Sequence, residues 1–258
     1  GSGIAVGSII SFPSGQPAPV GYSLYQWGEP KELVWEEKAP VSLASWVGDG
    51  VDVVNGKISF SGSWAIQLTG GLVNEFYDIH TNTWTSGASL SPPRAAAAYS
   101  VLSNKLYAIG GAGLNSVKSY NPLLGAWSEE SGLSSEVNHG TAITVDGRIY
   151  LIGGNNSSDS YLSQVLCFDP STNQWQAKAN MPTARNGVKL VWFENRIWAI
   201  GGYNGSSLNN VESYDPATDS WQTEVLLNSR RAWPIAWVGN FNIYVAGGRV
   251  NSSSYLSS

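Results

Sequence analysis

The stretch IWAIGGYNGSSLNNVESYDPATDSWQ, residues 197–222, decides the fold. It begins with four apolar residues that suit a buried strand, and two glycines follow them. After an Asn- and Ser-rich loop comes Tyr-Asp-Pro, where the Asp side chain and the fixed φ of proline favour a turn. Trp221 lies on the strand after this turn. The stretch therefore predicts short strands that fold back on one another.

The same succession recurs along the chain. The glycine pairs are Gly110-Gly111, Gly153-Gly154, Gly201-Gly202 and Gly247-Gly248. The tryptophans follow at spacings of 49, 43, 48 and 46 residues, and they are Trp35, Trp84, Trp127, Trp175 and Trp221. A period of this size indicates a repeat protein, in which a unit buries its apolar face only against its neighbours. We expect the apolar runs before the glycine pairs to be inner strands, buried on both faces.

Composition favours one all-β domain and argues against several classes of partner. A chain of 258 residues with 42% hydrophobic residues is long enough for one large β domain. Only 13% of residues are charged and the net charge is −5, so the sequence offers no basic stripe for nucleic acid and no polybasic patch for a membrane. We expect neither nucleic acid nor a membrane as a partner.

Few residues in this sequence suit catalysis or metal binding. Cys167 is the single cysteine, and the two histidines, His80 and His139, are far apart in sequence. A zinc or copper site needs several such ligands together. We therefore expect no metal, no cofactor and no enzymatic activity.

The ordered marks of diglycine, Tyr-Asp and Trp resemble the kelch repeat, over almost everything from about residue 30 to the C-terminus. The resemblance implies a β-propeller of four-stranded blades around a central channel. The first complete unit departs from the pattern, because Gly62-Ser63 stands where a diglycine is expected.

The two ends of the chain complement one another. The last unit stops after its second strand and a loop, whereas residues 22–25 and 33–36 read as a third and a fourth strand. We therefore expect five blades, with N-terminal strands completing the C-terminal blade and leaving no open sheet edge. Within this single domain, 1–258, the expected parts are a lead-in segment (1–20), closing strands (21–44), four complete blades (45–231) and half of the shared blade (232–258).

The lead-in segment has a looser resemblance of its own. Residues 7–25 resemble the collar segment of phage tail fibres, through Gly7, Phe12, Pro19, Gly21 and Tyr22. The alternative is a Pro- and Gly-containing loop that leads into a strand. Residues 1–3, Gly-Ser-Gly, look like a cloning remnant and lack the features of a secretion signal.

Arg94, Arg185 and Arg231 each stand 16 residues before the first glycine of a pair. Repetition places them on one face, at the entry to a first strand. One interpretation is structural, since a guanidinium with five donors can tie neighbouring loops together. The other is a contact for an anion or an acidic peptide at the channel mouth.

Other candidate binding residues lie off the main period or in the loops after the glycine pairs. Trp192 and Trp237 are expected in the core, whereas exposed aromatic side chains can anchor a protein or a sugar. The candidate surface anchors are Trp46, Trp64 and Trp233. The candidate loop residues are Asn155, Asn156, Tyr203 and Asn204, in loops that also contain Asn-x-Ser triplets.

These observations predict a non-catalytic scaffold that binds a partner protein through its loops and channel mouth. One alternative is a module that binds carbohydrate or a small anion. Another is an engineered or truncated propeller without a selected ligand.

Overall fold

The computed structural model describes residues 51–60, 75–239, 241–251 and 254–255, and this part of the chain is all-β. Sheet 1 contains β1 (Val51–Val54), β2 (Lys57–Phe60), β3 (Glu75–Asp78) and β4 (Thr83–Ser86). Sheet 2 contains β5 (Ala98–Leu102), β6 (Lys105–Ile109), β7 (Val117–Asn121) and β8 (Ala126–Glu130). Sheet 3 contains β9 (Thr141–Val145), β10 (Arg148–Ile152), β11 (Val165–Asp169) and β12 (Gln174–Lys178).

Sheet 4 contains β13 (Lys189–Phe193), β14 (Arg196–Ile200), β15 (Val211–Asp215) and β16 (Ser220–Thr223). Two hairpins follow, β17 (Ile235–Gly239) with β18 (Asn242–Ala246), and β19 (Arg249–Asn251) with β20 (Ser254–Tyr255). The four-stranded antiparallel sheets are those that the sequence predicts. The predicted closing strands, Trp35 and Gly62-Ser63 lie outside the described residues.

Each sheet follows chain order, and the first strand of one sheet contacts the first strand of the next. These contacts join β1 to β5, β5 to β9, β9 to β13 and β13 to β17. The strands before Gly110, Gly153 and Gly201 are second in four-stranded sheets and have a neighbouring strand on each side, as expected for inner strands. They are also well buried, since Ile149 and Leu151 of β10 are both 0% exposed.

The repeated aromatic residues connect strands within a sheet and also connect neighbouring sheets. Trp175 pairs across strands with Phe168, at a ring-centroid distance of 5.1 Å. Its indole Nε1 donates to the carbonyl oxygen of Ser131, at the end of sheet 2. Trp221 likewise donates to Ala179, beyond the end of sheet 3. The tryptophan period thus corresponds to one sheet-to-sheet contact per repeat.

The core lies between adjacent sheets, as expected for units that cannot bury their own apolar faces. Between sheets 2 and 3, Ile109 and Val117 pack in one cluster with Ile149, Leu151 and Phe168. Comparable clusters join sheets 1 and 2, and sheets 3 and 4.

A close approach between repeats requires glycine at the first position of three pairs, at Gly110, Gly153 and Gly201. The φ values of Gly110 and Gly201 are +62° and +64°, in a region that residues with a side chain rarely adopt. A Cβ at Gly201 would overlap the carbonyl oxygen of Arg231, and one at Gly110 would overlap that of Val137. The diglycine therefore lets the loop before the next first strand lie against the end of the second strand.

Among the described residues Trp237 does not pack in the core, contrary to the expectation. It is 47% exposed and stacks on Tyr244 across the β17–β18 hairpin, with ring centroids 5.5 Å apart. Trp192, by contrast, is partly buried against the core between sheets 3 and 4. The difference follows from packing. Trp192 is on β13, which lies between the first strands β9 and β17, whereas Trp237 is on β17, which contacts one described first strand, β13.

Candidate functional site

Two sets of loops meet at one end of the sheets. The first two strands of each sheet are antiparallel, so the residue that begins one strand lies beside the residue that ends the other. Register pairs such as Lys189 with Ile200 and Ile235 with Ala246 show this. The loops before the first strands and the loops after the glycine pairs therefore lie together. We call this end of the sheets the loop face.

The predicted arginines all lie at the loop face, but two of them are buried. Arg94 is 1% exposed and Arg185 is 0% exposed. Arg94 donates to the carbonyl oxygens of Ala108, Gly110 and Ser116. Arg231 is less buried and donates to the carbonyl oxygen of Gly247, at 2.8 Å. Arg94 and Arg231 thus tie a first-strand entry to the glycine pair 16 residues later. Arg94 and Arg185 do not form an exposed cationic surface.

Arg185 has an additional partner within its own sheet. Its Nη1 lies 2.5 Å from Oε2 of Glu212, which is 1% exposed, and Thr183 donates to the other carboxylate oxygen. Its Nη2 donates to the carbonyl oxygen of Ala199 at 3.1 Å. Burial lowers the pKa of the Arg185 guanidinium, while the Glu212 carboxylate opposes that change. The charge of Arg185 is compensated inside the protein.

Arg94, Arg185 and Arg231 share one position of the repeat, and Val137 holds this position in a fourth unit. The residue two places after it has a left-handed backbone conformation in all four units. The φ values are +59° for Ala96, +52° for His139, +59° for Gly187 and +52° for Trp233. A bulky residue in this region is strained, and such strain is most common at functional sites. His139 and Trp233 are the two exposed residues of this series, and Trp233, which is 42% exposed, has the larger side chain and is the stronger candidate for a functional role.

The Trp233 ring organises an aromatic cluster on the loop face. It stacks on Tyr203, with ring centroids 5.9 Å apart and an interplanar angle of 26°. His139 approaches it edge-on at 6.5 Å, and Tyr161 approaches Tyr203 edge-on at 6.0 Å. The ring also lies over Gly187, where an added Cβ would be 2.7 Å from it. Residues from three successive repeats therefore build one surface.

Arg249 completes this cluster. Its guanidinium carbon lies 5.2 Å from the centroid of the Tyr203 ring and 5.1 Å from that of the Trp233 ring. Backbone hydrogen bonds in both directions join Arg249 to Ala232, at 2.8 and 2.9 Å. We call Tyr161, Tyr203, Trp233, His139 and Arg249 the aromatic–arginine cluster.

The predicted asparagines have different environments. Asn155 is 7% exposed and accepts a hydrogen bond from Asn186 at 3.1 Å, which joins the loops of two repeats. Asn156 accepts from the backbone amides of Ser158 and Ser160, and so shapes its own loop. Asn204 is exposed beside Tyr203. Trp46 and Trp64 lie outside the described residues.

Sequence reasoning selected Tyr203 and Trp233 but not Arg249, Tyr161 or His139. The sequence does contain an indication that His139 lies near the site. When Val137 is aligned with Arg231, His139 and Trp233 fall at the same position of the repeat. Arg249 directly follows a glycine pair, as Tyr203 does. The contact between them depends on two neighbouring repeats and has no local signature.

Other chemical groups are held in structural roles. Cys167 is buried, and burial raises the pKa of its thiol. Within the described ranges, no three or more His, Cys, Asp or Glu side chains are grouped so that they could hold a metal ion. The described residues also include no helix that is long and apolar enough to span a membrane.

Comparison with known proteins agrees with this architecture. The chain is 27% identical over 201 residues to Kelch-like protein 35 of Mus musculus, covering 75% of this chain and 34% of that relative. It is 33% identical over 111 residues to Kelch-like ECH-associated protein 1A of Danio rerio, covering 38% of this chain and 18% of that relative. The chain thus spans about a third or less of the length of these relatives.

A solved structure shares the fold. The structure titled "Structure of YjhT" superimposes with a TM-score of 0.70 at 20% identity, over 82% of this chain and 74% of that one. Residues 51–248 match the model of the KLHDC2/KLHL20/DRC7 Kelch-repeats domain. This match covers most of the chain, which therefore belongs to the kelch-repeat family of β-propellers.

Proposed function

We propose that this chain is a non-catalytic recognition module that binds a partner protein through the loop face. The observation that carries the proposal is Trp233, a bulky side chain that is 42% exposed at a φ of +52°. Trp, Tyr and Arg are the residues that contribute most often to the energy of protein interfaces. The aromatic–arginine cluster brings these three residue types together.

The loops beneath the cluster are well fixed by hydrogen bonds. The Trp233 amide donates to the carbonyl oxygen of Gly187 at 2.8 Å, and Asn186 and Tyr203 exchange backbone hydrogen bonds at 2.8 and 3.0 Å. A rigid, preorganised surface loses less conformational entropy when it binds a partner. The fixed loops therefore favour a role in binding a partner over a role as solvent-exposed connections between strands.

Known relatives support the same class of function. The relatives are Kelch-like proteins, and one of them is named as ECH-associated, which describes that protein as one that associates with another. The strained tryptophan and the family therefore favour the same interpretation.

The titratable groups favour binding without catalysis. Hydrogen-bond donors lower the pKa of the Asp169, Asp215 and Asp219 carboxyl groups, as is usual for carboxylates that accept hydrogen bonds in a structural role. The main donor is the side chain of Ser171 for Asp169, the amide of Ala217 for Asp215 and the hydroxyl of Tyr214 for Asp219. A general acid at neutral pH needs the opposite change. The Cys167 thiol, with its pKa raised, is likewise a poor nucleophile.

We also propose that the propeller has five blades and that residues 21–44 close it. The β17–β18 hairpin supplies two strands where every complete sheet has four. Three large apolar residues of this hairpin are exposed: Ile235 by 60%, Trp237 by 47% and Tyr244 by 39% of their surface. An apolar hairpin with an open edge is an aggregation hazard in a monomer, and two further strands would cover it. On this basis four complete blades occupy 45–231, and residues 232–258 contribute the first half of the shared fifth blade.

Deletion of residues 1–38 tests this closure. Loss of the closing strands is expected to lower the thermal midpoint of the whole domain, since it exposes an edge and removes Trp35. An unchanged midpoint in a truncated protein that stays monomeric contradicts the closure.

The recognition proposal is tested by selecting a random heptapeptide library on the immobilised wild-type protein. The affinity of each enriched peptide is then measured for the wild type and for the variants Trp233→Ala and Phe241→Ala. Phe241 is a matched control, because it is also aromatic, exposed (94%) and at positive φ (+61°), but lies in the turn at the opposite end of its hairpin. Binding that is lost only in Trp233→Ala supports the proposal.

Two results would contradict it. One is the absence of enriched peptides that depend on Trp233. The other is a glycan array on which sugars bind at Trp233 while peptides do not, which would assign the loop face to carbohydrate.

A further inference from the structure

The sequence contains three Asn-Gly pairs, at residues 55–56, 186–187 and 204–205. An asparagine before a glycine can lose its side-chain amide, because the next backbone nitrogen can attack the carbonyl carbon of that amide and glycine has no side chain to hinder the approach. The reaction needs an asparagine that is open to water and whose side chain and following amide are free to move. The structure gives the three pairs very different surroundings.

The pair Asn186-Gly187 is closed to this reaction. Asn186 is 8% exposed, and its side chain donates to Oδ1 of Asn155 at 3.1 Å. Its backbone exchanges hydrogen bonds with that of Tyr203, and the Trp233 ring covers Gly187 so closely that an added Cβ would be 2.7 Å from it. Attack here requires local opening of packed loops, which carries a free-energy cost.

The pair Asn55-Gly56 is exposed, but its backbone is fixed. It forms the turn between Val54 and Lys57, with φ values of +50° and +71°. A tight hairpin turn of this kind requires the left-handed conformation at both residues. The Asn55 amide also donates to the Asn104 side chain at 3.0 Å. The cyclic intermediate fixes the asparagine backbone in another conformation, so this pair must leave its turn before it can react.

The pair Asn204-Gly205 is exposed, and its reacting groups are free. Residues 204–206 form the exposed tip of a loop whose ends, Tyr203 and Ser207, bridge one another. Within the described residues, neither the Asn204 side chain nor the Gly205 amide takes part in a hydrogen bond. An added Cβ at Gly205 would have nothing within 4 Å, so the tip also has room to move. Both groups can therefore meet while the ends of the loop stay in place.

We propose that Asn204 is a site of spontaneous deamidation, with water as the other reactant. The Gly205 amide nitrogen gives its proton to hydroxide and forms a bond to Cγ of Asn204. The bond from Cγ to the side-chain nitrogen breaks, and that nitrogen leaves as ammonia. Water then opens the resulting succinimide ring at either carbonyl carbon, which gives aspartate or isoaspartate at position 204. The net change is hydrolysis of an amide to a carboxylate, without oxidation or reduction.

This modification changes the loop face at the residue next to Tyr203. It places a negative charge where a neutral amide stood, and the isoaspartate product adds one carbon to the backbone of the turn. The far end of the turn is held, because the Ser207 hydroxyl donates to the carbonyl oxygen of Arg249 at 2.7 Å. The inference is independent of the proposed function, since the reaction needs solvent alone.

The test follows the three pairs in one sample. The full chain is incubated at mildly alkaline pH, both folded and unfolded in guanidinium chloride. Peptide mass spectrometry after digestion at acid pH then measures aspartate and isoaspartate at each pair. In the folded protein Asn204 should react at least about tenfold faster than Asn55 or Asn186, which is ~1.4 kcal/mol in the barrier. In the unfolded chain the three rates should be similar, because the fold no longer protects two of the pairs.

Two further measurements identify the route and the residue. Isoaspartate should accumulate beside aspartate, because direct hydrolysis of the side chain gives aspartate alone. Asn204→Gln is the matched variant, since a glutamine would have to form a larger and less favourable ring. It should remove the mass gain of this peptide and leave the thermal midpoint unchanged.

Three results would overturn the inference. One is a rate at Asn204 in the folded protein that does not exceed the rates at Asn55 and Asn186. Another is a product that contains aspartate but no isoaspartate, which excludes the succinimide. The third is an unfolded chain that keeps the ratio of rates seen in the folded protein, because the flanking sequence and not the fold would then select Asn204.

Discussion

Replacing Arg185 with methionine should strongly destabilise the domain. The substitution keeps an unbranched side chain but removes the cation. Among the described side chains, the Thr183 hydroxyl then remains as the donor to the Glu212 carboxylate, which is 1% exposed. It also removes the donors to the carbonyl oxygens of Thr183 and Ala199. The variant therefore has a buried charge without its counter-ion.

The expected magnitude follows from this burial. Breaking a fully buried ion pair by removing one partner costs about 3–5 kcal/mol. For a domain of this size each kcal/mol lowers the thermal midpoint by about 2–4 °C, so the midpoint should fall by about 6–20 °C. The matched control is Arg148→Met. The Arg148–Asp169 pair has side-chain exposures of 49 and 30%, so its loss should cost less than ~1 kcal/mol.

A double-mutant cycle is the decisive assay. Urea unfolding is followed for the wild type, Arg185→Met, Glu212→Leu and the double variant. The double variant should be less destabilised than the sum of the single variants by about 1–3 kcal/mol, because no unpaired charge remains in it. The reasoning is refuted if Arg185→Met costs no more than Arg148→Met, or if the single effects simply add.

Three further predictions follow from the contacts between repeats. Trp221→Phe loses the donor to Ala179 and should cost about 1 kcal/mol for the hydrogen bond alone, whereas an unchanged urea midpoint would contradict this role. In the folded state the pKa of Asp219 is lowered, chiefly by a tyrosine hydroxyl, so its stabilisation is complete above about pH 4 and is lost as the pH falls through the folded pKa. The stability difference between wild type and Asp219→Asn should therefore be constant near neutrality and shrink in acid, and a constant difference down to acid unfolding counts against it. Gly201→Ala should cost about 2 kcal/mol or more, since strain and the overlap add, and Gly205→Ala, with nothing within 4 Å of its Cβ, should melt at a higher temperature than Gly201→Ala.

The repeat could be predicted from the sequence because each of its marks has a local cause. The first glycine of a pair permits a close approach to the next repeat, Asp215 accepts from the amide of Ala217 to form the turn, and Trp221 packs on Tyr214 across the hairpin. Each cause acts within one unit or on one neighbour, so the period alone reveals it.

The site could be predicted only in part because it depends on contacts between repeats. The exposure of Trp233 and the burial of Arg185 have no signature in a linear pattern, because Arg231 has the same place in its repeat as Arg185 and is less buried, and buried Gly187 has the same place as Trp233. Their neighbours decide the difference. Arg185 has Glu212 in its own sheet, whereas Trp233 has Gly187 in the preceding repeat and Arg249 in the loop beside it.

Trp233→Gly distinguishes a functional from a structural role for the tryptophan. The change removes a left-handed residue that costs roughly 1–2 kcal/mol and copies the glycine of the preceding repeat, Gly187, which has a φ of +59°. Against this gain stand about 0.5–1.5 kcal/mol for the ring stack on Tyr203, about 0.5–1 kcal/mol for the contact with Arg249, about 0.5–1 kcal/mol for the greater entropy of an unfolded glycine, and the apolar area that the ring buries. The losses exceed the gain, so the thermal midpoint should fall, but by less than in Arg185→Met, while binding of selected peptides is lost. If the midpoint instead falls as far as that of Arg185→Met, Trp233 is a structural residue, and the strain at φ +52° is not maintained for recognition.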